Sequence, residues 1–548
     1  MYRFLIFLLL ISSTTLAQKL SRKDKKVIGY LETEVSYLAS NDLKGRRAGD
    51  EGEILAANFI AGKFKEIGLL PKGNVYNTSF FQPFDIYDGK FIDSTSFFLV
   101  NGVKAEVGRD IFPLSNSPKA VFKSNITPAI HESGQPWLYD LGEELIENKD
   151  NPHFDIQNLV LEKLKSAKAK NVPYIIFYNS SPLKDNITFD PKDRSETALI
   201  PAFYLTAKSK VFLFPDSESE YGIDLNISIS PRYRNARNVV GYIDNKSELT
   251  VVIGAHFDHL GYGEDGNSMI RGAAPDIHNG ADDNASGTAS LIELAFALKG
   301  GKAKQYNFLF IAFSAEELGL NGSKFFVENP TIDLKSVNYM INMDMVGRMN
   351  DSTKTITVGG YGTSSSWNKM ISAVDSKDFS IKADSSGSGP SDHTSFYRKD
   401  IPVLFFFTGL HSDYHKPSDD ADKINYTGIF KIIRFIEMLI LKDKSGARID
   451  FLKTREQQTS TSTRFSVSMG IMPDYSYSGN GVRVDGVSDN RPAKKVGILA
   501  GDIVKQLGDI KTSSVESYMQ ALSKFKKGDS TTVIILRKDQ EIKFEITF

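Results

Sequence analysis

The sequence predicts an α/β protein. A mostly parallel mixed sheet flanked by helices is interrupted by a small α/β insertion and followed by a β-rich C-terminal module. Three observations carry this reading. From residue 236 onward, strand-length apolar runs (NVVGYID, LTVVIGAHF, YNFLFIAFS, NYMINMDMV, TITVG, PVLFFF) alternate with helical stretches. That is the rhythm of a parallel sheet covered on both faces. Between about 111 and 235 the text changes character, with strands around one helical segment and a polar loop rich in Asp and Pro. A run of Ser, Thr and Gln then separates residues 464–548 from the rest. At 548 residues the chain exceeds one ordinary domain, given a prior of roughly 150 residues per domain.

Composition narrows the chemistry. Hydrophobic residues make up 41% and charged residues 24%, with a net charge of −1. Nothing here points to nucleic acid or an anionic membrane as a partner. There are no cysteines, which excludes disulfides, thiolate metal sites and cysteine nucleophiles. Any metal ligand must be His, Asp or Glu. At the N-terminus, Arg3, the apolar run FLIFLLLI and Thr15-Leu16-Ala17 before Gln18 read as a signal peptide over 1–17. The run is shorter than the roughly 20 residues of a membrane span. The expectation is therefore a secreted or periplasmic protein, with no lipidation cysteine and no stable membrane span after cleavage.

In chain order, 24–69 reads as two amphipathic helices separated by the polar break Lys44-Gly45-Arg46-Arg47-Ala48-Gly49. Gly68 and Pro71 suit the end of the second. FFQPFDIYD and SFFLVNG follow as strands. In the insertion, PWLYDLG, VPYIIFYN and IPAFYLT are strands and LVLEKLKSAKAKN is a helix. His131 and His153 stand alone there and read as structural or solvated. The expected organisation is a main domain over 18–110 and 236–445, an insertion over 111–235, a linker over 446–463 and a C-terminal module over 464–548. A helix is expected over Ala285–Leu298, and another over 427–441 closes the main domain.

The chemistry collects where the apolar strands end, the place where sites of such sheets lie. His256 ends one run and Asp258 lies two residues on, placed to accept the proton of the outward imidazole nitrogen. Asp282-Asp283-Asn284 opens a helix; acids there serve as N-caps, yet one would suffice, and a carboxylate can bridge two ions. Glu316-Glu317 follows a buried strand, so one acid could bind metal while the other moves a proton. Asp344 sits inside an apolar run, costly unless paired or coordinated. Leu410-His411-Ser412-Asp413-Tyr414-His415 follows PVLFFF. Oxygen and imidazole ligands without sulfur suit a catalytic zinc pair. No serine lies in a nucleophile elbow, and the loop 261–266 lacks the Lys of a phosphate cradle.

AHFDHLG, HNGADDNASG, SAEELGLNGS, NMDMVGR, SDHTSF and DYHKPSDD, in this order, resemble the co-catalytic zinc aminopeptidases related to bacterial leucyl aminopeptidases and glutamate carboxypeptidase. LKGRRAGDEG resembles that family's opening segment. The resemblance implies a zinc exopeptidase fold and two zinc ions. It gives one ion to His256 and Asp344 and the other to Glu317 and His415, with Asp283 bridging. Glu316 would be the general base that activates water and protonates the leaving amine. Asp258 would orient His256, Tyr414 would assist the oxyanion, and Asp392 and His393 would line the site. It also implies a cis peptide at Asp283-Asn284. The insertion resembles a protease-associated domain. The C-terminal module resembles a PDZ domain, with Ser468-Met469-Gly470-Ile471 as the loop for a peptide's C-terminal carboxylate. The implied activity is removal of residues from peptides with a free N-terminus. A carboxypeptidase-like or glutaminyl-cyclase-like enzyme on the same fold, or a non-catalytic peptide receptor, are the other readings.

Overall fold

The computed structural model describes residues 20–548 except 152–153, 194–196, 271–274, 375–376, 455–466, 474–476, 478, 488–490, 514, 523 and 527. The expected signal peptide, His153 and the second half of the expected linker (455–463) lie outside the described residues. Among those described, no helix is long and apolar enough to cross a membrane.

The chain up to Pro83 together with Arg237–Thr454 forms one compact unit. Its sheet contains β1 (Leu70–Pro71), β2 (Phe81–Ile92), β3 (Ile229–Ile243), β4 (Thr250–His256), β5 (Asn307–Phe313), β6 (Val337–Met343), β7 (Thr355–Gly359), β8 (Ser380–Ala383) and β9 (Val403–Phe407). The order is β1-β3-β5-β4-β6-β9-β7-β8, with β2 paired to β3. β5, β4, β6 and β9 run parallel, so their carboxyl ends share one edge. β3 and β7 are antiparallel to their neighbours β5 and β9. This is the mixed, mostly parallel sheet expected from the sequence.

Alternation along the strands divides the core. Val251, Ile253 and Ala255 face the layer of α1 (Arg22–Leu38), α2 (Glu51–Ile67), α3 (Gly287–Gly300) and α7 (Tyr426–Lys442). α5 (Ser366–Ser372) sends Trp367 into the same layer. Val252, Leu309, Ile311 and Phe313 face α4 (Asn321–Glu328) and α6 (His393–Tyr397). Each such residue, wholly buried, contributes about 1.5–3 kcal/mol. α1 starts at a capping box, where Ser21 and Asp24 each accept the other's backbone N–H. α2 ends at Gly68 in the left-handed conformation.

The second compact unit contains 84–236 and 455–548. In the former, a four-stranded antiparallel sheet joins Val103–Ala105, Phe97–Val100, Tyr221–Ile227 and Ala120–Ile126. A second sheet joins Ile111–Pro113, Ala202–Leu205, Ile175–Tyr178 and Trp137–Asp140, with the helix Ile156–Ala169 packed on it. The expected start of the insertion, residue 111, is thus too late: SFFLVNG pairs with 221–227 rather than with the main sheet. His131 lies against Trp137 and Tyr139, one ring nitrogen donating to the Leu138 carbonyl, a structural role. The C-terminal module has its own core around Met469, Ile471, Val504 and Ile535. Its strands are Ile471–Pro473, Val482–Val487, Ile503–Leu507, Ile510–Lys511, Ser530–Arg537 and Gln540–Thr547, with a helix at Val515–Leu522. Pro-Ala-Lys-Lys forms a helical turn at Pro492–Lys495.

Candidate metal centre

His256 is the last residue of β4. Glu316 and Glu317 follow β5, Asp344 follows β6, and the loop bearing Tyr414 and His415 follows β9. The parallel strands therefore deliver all of them to one edge. Asp283 reaches that edge from the turn before α3. The turn starts at Gly280, in the left-handed region with φ 55°, where an added Cβ would lie 2.1 Å from the Asp283 carbonyl oxygen. The helix expected at Ala285 starts at Gly287, because 281–286 wind irregularly first.

The five expected ligands converge. His256 Nε2 lies 3.2 Å from Asp344 Oδ1 and 3.4 Å from Asp283 Oδ1. His415 Nε2 lies 3.1 Å from Glu317 Oε2 and 3.3 Å from Asp283 Oδ2. Asp283 thus turns one oxygen to each imidazole, as a bridging acid must. The Asp283–Asn284 peptide is cis, as the resemblance implies. Asn284 joins the neighbouring pieces: its amide donates to Met343 O (3.0 Å) and its oxygen accepts from Met345 N (3.1 Å) and Gly287 N (2.9 Å). It thereby brackets Asp344.

Hydrogen-bond logic tests whether these residues fit a cation. His256 Nδ1 faces the Asp258 carbonyl at 3.2 Å, and His415 Nδ1 faces the Asn267 carbonyl at 3.0 Å. A carbonyl only accepts, so each Nδ1 carries the proton. Each Nε2 of a neutral ring then presents a lone pair to carboxylate oxygens. Acceptor against acceptor is stable only with a cation between them or with both rings protonated. Without an ion, burial lowers the two imidazoles, but the carboxylates outweigh it and lift both well above their ordinary value. Burial, then Asp344 and Glu317, push Glu316 well up. The donor set fits divalent ions bound by oxygen and imidazole.

Asp258 faces His256, with its carboxylate 3.7 Å from Nδ1 and its backbone carbonyl nearer at 3.2 Å. The carboxylate also accepts from Glu316 N (3.1 Å) and Glu317 N (3.4 Å), aiming the glutamate pair. Glu316 Oε2 lies 3.9 Å from His256 Nε2, beside the ligand cluster. Tyr414 stacks on His415, ring centroids 3.9 Å apart. Burial, then Asp283, Glu317 and Glu316, keep its phenol protonated and able to donate. Asp392 and His393 are buried near the site, His393 stacked on Phe405 at 4.5 Å. Among the described residues, His393 Nδ1 has no hydrogen-bond partner.

The paired acids divide their work. Asp282 does not face the imidazoles of His256 and His415. Its Oδ1 accepts from Gly347 N at 2.6 Å, and its Oδ2 lies 3.2 Å from His411 Nε2. Asp419, which sequence reasoning did not single out, accepts the N–H of both Asp282 (2.9 Å) and Asp283 (3.1 Å). His259 was also missed. Its Nδ1 donates to Glu317 Oε1 at 2.7 Å, and ligand atoms of His259, Asp283 and Glu317 lie within 4.8 Å of one another. Strand alternation would send His259 to the face opposite His256 and Asp258, but β4 stops at His256 and alternation stops with it.

The carboxyl edge of this α/β sheet thus gathers two imidazoles and the carboxylates of Asp283, Glu317 and Asp344, a donor set that could hold metal ions. Residues 238–440 match Peptidase family M28, and residues 455–548 match the PDZ domain. The first match spans the ligand edge of the main sheet and the second falls on the C-terminal module. Aminopeptidase YwaD of Bacillus subtilis is 25% identical over 408 residues, covering 69% of this chain and 77% of that protein. A probable leucine aminopeptidase of Arthroderma otae is 32% identical over 194 residues, covering 33% of this chain and 51% of its own length. Among solved structures, an aminopeptidase from Aneurinibacillus sp. strain AM-1 aligns with TM-score 0.42 at 20% identity, over 78% of this chain and 96% of that one. BSAP, described as a zinc aminopeptidase from Bacillus subtilis, aligns with TM-score 0.42 at 19% identity, over 77% of this chain and 98% of that one.

Proposed function

We propose that this protein is a di-zinc aminopeptidase. The observation that carries the reading is Asp283, which turns one oxygen to each of two imidazoles whose Nε2 lone pairs need a cation. His256 and Asp344 would hold one ion, Glu317 and His415 the other, and Asp283 both. Bound zinc supplies Lewis acidity at the scissile carbonyl and a nucleophile from water at neutral pH. The chain's own groups do the rest. Glu316, beside the ligands and outside the set, takes the proton of the attacking water and returns it to the leaving amine. Asp258 fixes the peptide from which Glu316 and Glu317 project. Tyr414 donates to the developing oxyanion. The likeness to named aminopeptidases favours substrates with a free N-terminus over the carboxypeptidase-like and glutaminyl-cyclase-like readings.

Outside the peptidase domain, the groove beside Met469, Gly470 and Ile471 would take a peptide C-terminus; Gly470, with φ 83°, gives that loop its turn. Residues 84–236 would act as a protease-associated module. The apolar run FLIFLLLI behind Arg3, read as a signal peptide, would direct the protein to export. The test is Glu316→Gln: turnover should fall about 10²–10⁴-fold with zinc content unchanged. Near-normal turnover would refute the assignment of the base.

A further inference from the structure

The segment LKGRRAGDEG contains a wholly buried cation, Arg46. Among the described residues, its guanidinium donates to backbone carbonyls alone. Nε reaches Phe257 O at 2.8 Å, one terminal nitrogen reaches Leu38 O and Asn279 O (2.6 Å), and the other reaches Gly280 O at 2.9 Å. The backbone continues the clasp: Arg46 O accepts from His259 N at 3.2 Å, and Gly45 O accepts from Gly261 N at 3.0 Å.

The positions of these acceptors give the arrangement its meaning. Phe257 lies between His256 and Asp258. Asn279 and Gly280 open the turn that carries Asp282 and Asp283. One side chain therefore ties the end of β4 to the turn of the bridging acid, two pieces far apart in sequence. Only a planar fork with donors in several directions serves carbonyls from three segments at once. The charge also fits its surroundings. Burial lowers the guanidinium to about 10, while Asp283, Asp258, Asp419 and Glu317 act to hold its proton. Arg46 thus stays cationic at neutral pH beneath a cluster of acids without bonding to any of them.

We propose that Arg46 is a positioning residue of the metal centre. By holding the carbonyls of Phe257, Asn279 and Gly280, it sets the separation of His256 from Asp283 and so the affinity of the ion they share. This rests on the di-zinc reading above. A purely structural arginine would instead stabilise the fold and leave ion affinity alone.

The experiment compares full-length wild type, Arg46→Lys and Arg46→Met after stripping with chelator. For each, the melting temperature of the metal-free protein, zinc affinity and stoichiometry by competition with a chromophoric chelator, and the absorption spectrum with cobalt are measured. Lysine keeps the charge and loses the fork, so it should bind zinc about tenfold more weakly or worse, with an altered cobalt spectrum; Met should bind more weakly still. Turnover number should fall with KM nearly unchanged. If Arg46→Met does not fold, Arg46→Lys decides. Wild-type zinc affinity and an unchanged cobalt spectrum in Arg46→Lys, even with a lower melting temperature, would overturn the proposal. Failure of the wild type to bind zinc would overturn the di-zinc reading instead.

Discussion

Replacing Asp258 with asparagine keeps the shape of a buried side chain while removing its charge and one acceptor. Both carboxylate oxygens are in use, on the N–H groups of Glu316 and Glu317. Asparagine satisfies one N–H through its oxygen and turns an NH₂ toward the other. A buried donor left unpaired costs about 1–3 kcal/mol, and exchanging a charge-assisted hydrogen bond for a neutral one costs about 1 kcal/mol more. The total, about 2–4 kcal/mol, falls on the peptide that aims the base and one ligand. Expressed wholly in the transition state it would slow turnover roughly 30- to 900-fold. Partial relaxation makes a loss of about tenfold or more the expected result. The assay is turnover number on leucine p-nitroanilide at saturating substrate, with zinc content measured alongside. A turnover number within twofold of wild type would refute the inference that Asp258 holds the glutamate pair.

Other expectations concern neighbouring groups. His259→Ala removes the proton donated to Glu317 Oε1 and should weaken zinc binding about tenfold or more; His259→Asn, whose amide can take the place of Nδ1–H, should restore much of it, and a chelator titration reads both. Glu34 is buried with its Oε1 3.1 Å from Lys63. Burial, then Glu293, raises its carboxyl to about 8. A folded-state pKa above the unfolded value gives stability that is full below the unfolded pKa, near 4.5, and lost as pH rises through about 8. Glu34→Gln should therefore raise the melting temperature at pH 9 by about 4 °C or more and change it little at pH 5. An equal shift at both pH values would contradict the assignment. Asn284→Ala removes three hydrogen bonds around Asp344; it should lower both zinc affinity and the melting temperature.

The sequence made the parallel sheet and its ligand edge legible for a simple reason. A buried strand reads as a mostly apolar run, so the polar residues at and just past its end mark the carboxyl edge: His256 ends its run, Glu316 and Asp344 follow theirs closely, and His415 lies in the loop after PVLFFF. What escaped depends on contacts between distant segments or on irregular backbone. Arg46 bonds to carbonyls of 257, 279 and 280, and no local pattern announces such partners. Asp419 reads as an ordinary loop acid until its oxygen is found on two successive amides. The turn 281–286 has no helical or strand period, so the start of α3 was misplaced by two residues. The strand Phe97–Val100 looked like any other alternating run, and its choice of partner sheet is a tertiary fact. Asp282 and Asp283 look equivalent by local pattern; the family resemblance picks out Asp283, and the geometry turns it to both imidazoles while Asp282 holds Gly347 and faces His411.

The most direct measurement is hydrolysis of leucine p-nitroanilide and its N-acetyl counterpart by the full-length protein, first stripped with chelator and then given zinc stepwise. The expected result is no cleavage of either after stripping, and recovery toward the free-amine substrate alone as zinc approaches two ions per chain. Cleavage that survives complete removal of metal, or equal cleavage of the acetylated substrate, would contradict the assignment of a di-zinc aminopeptidase.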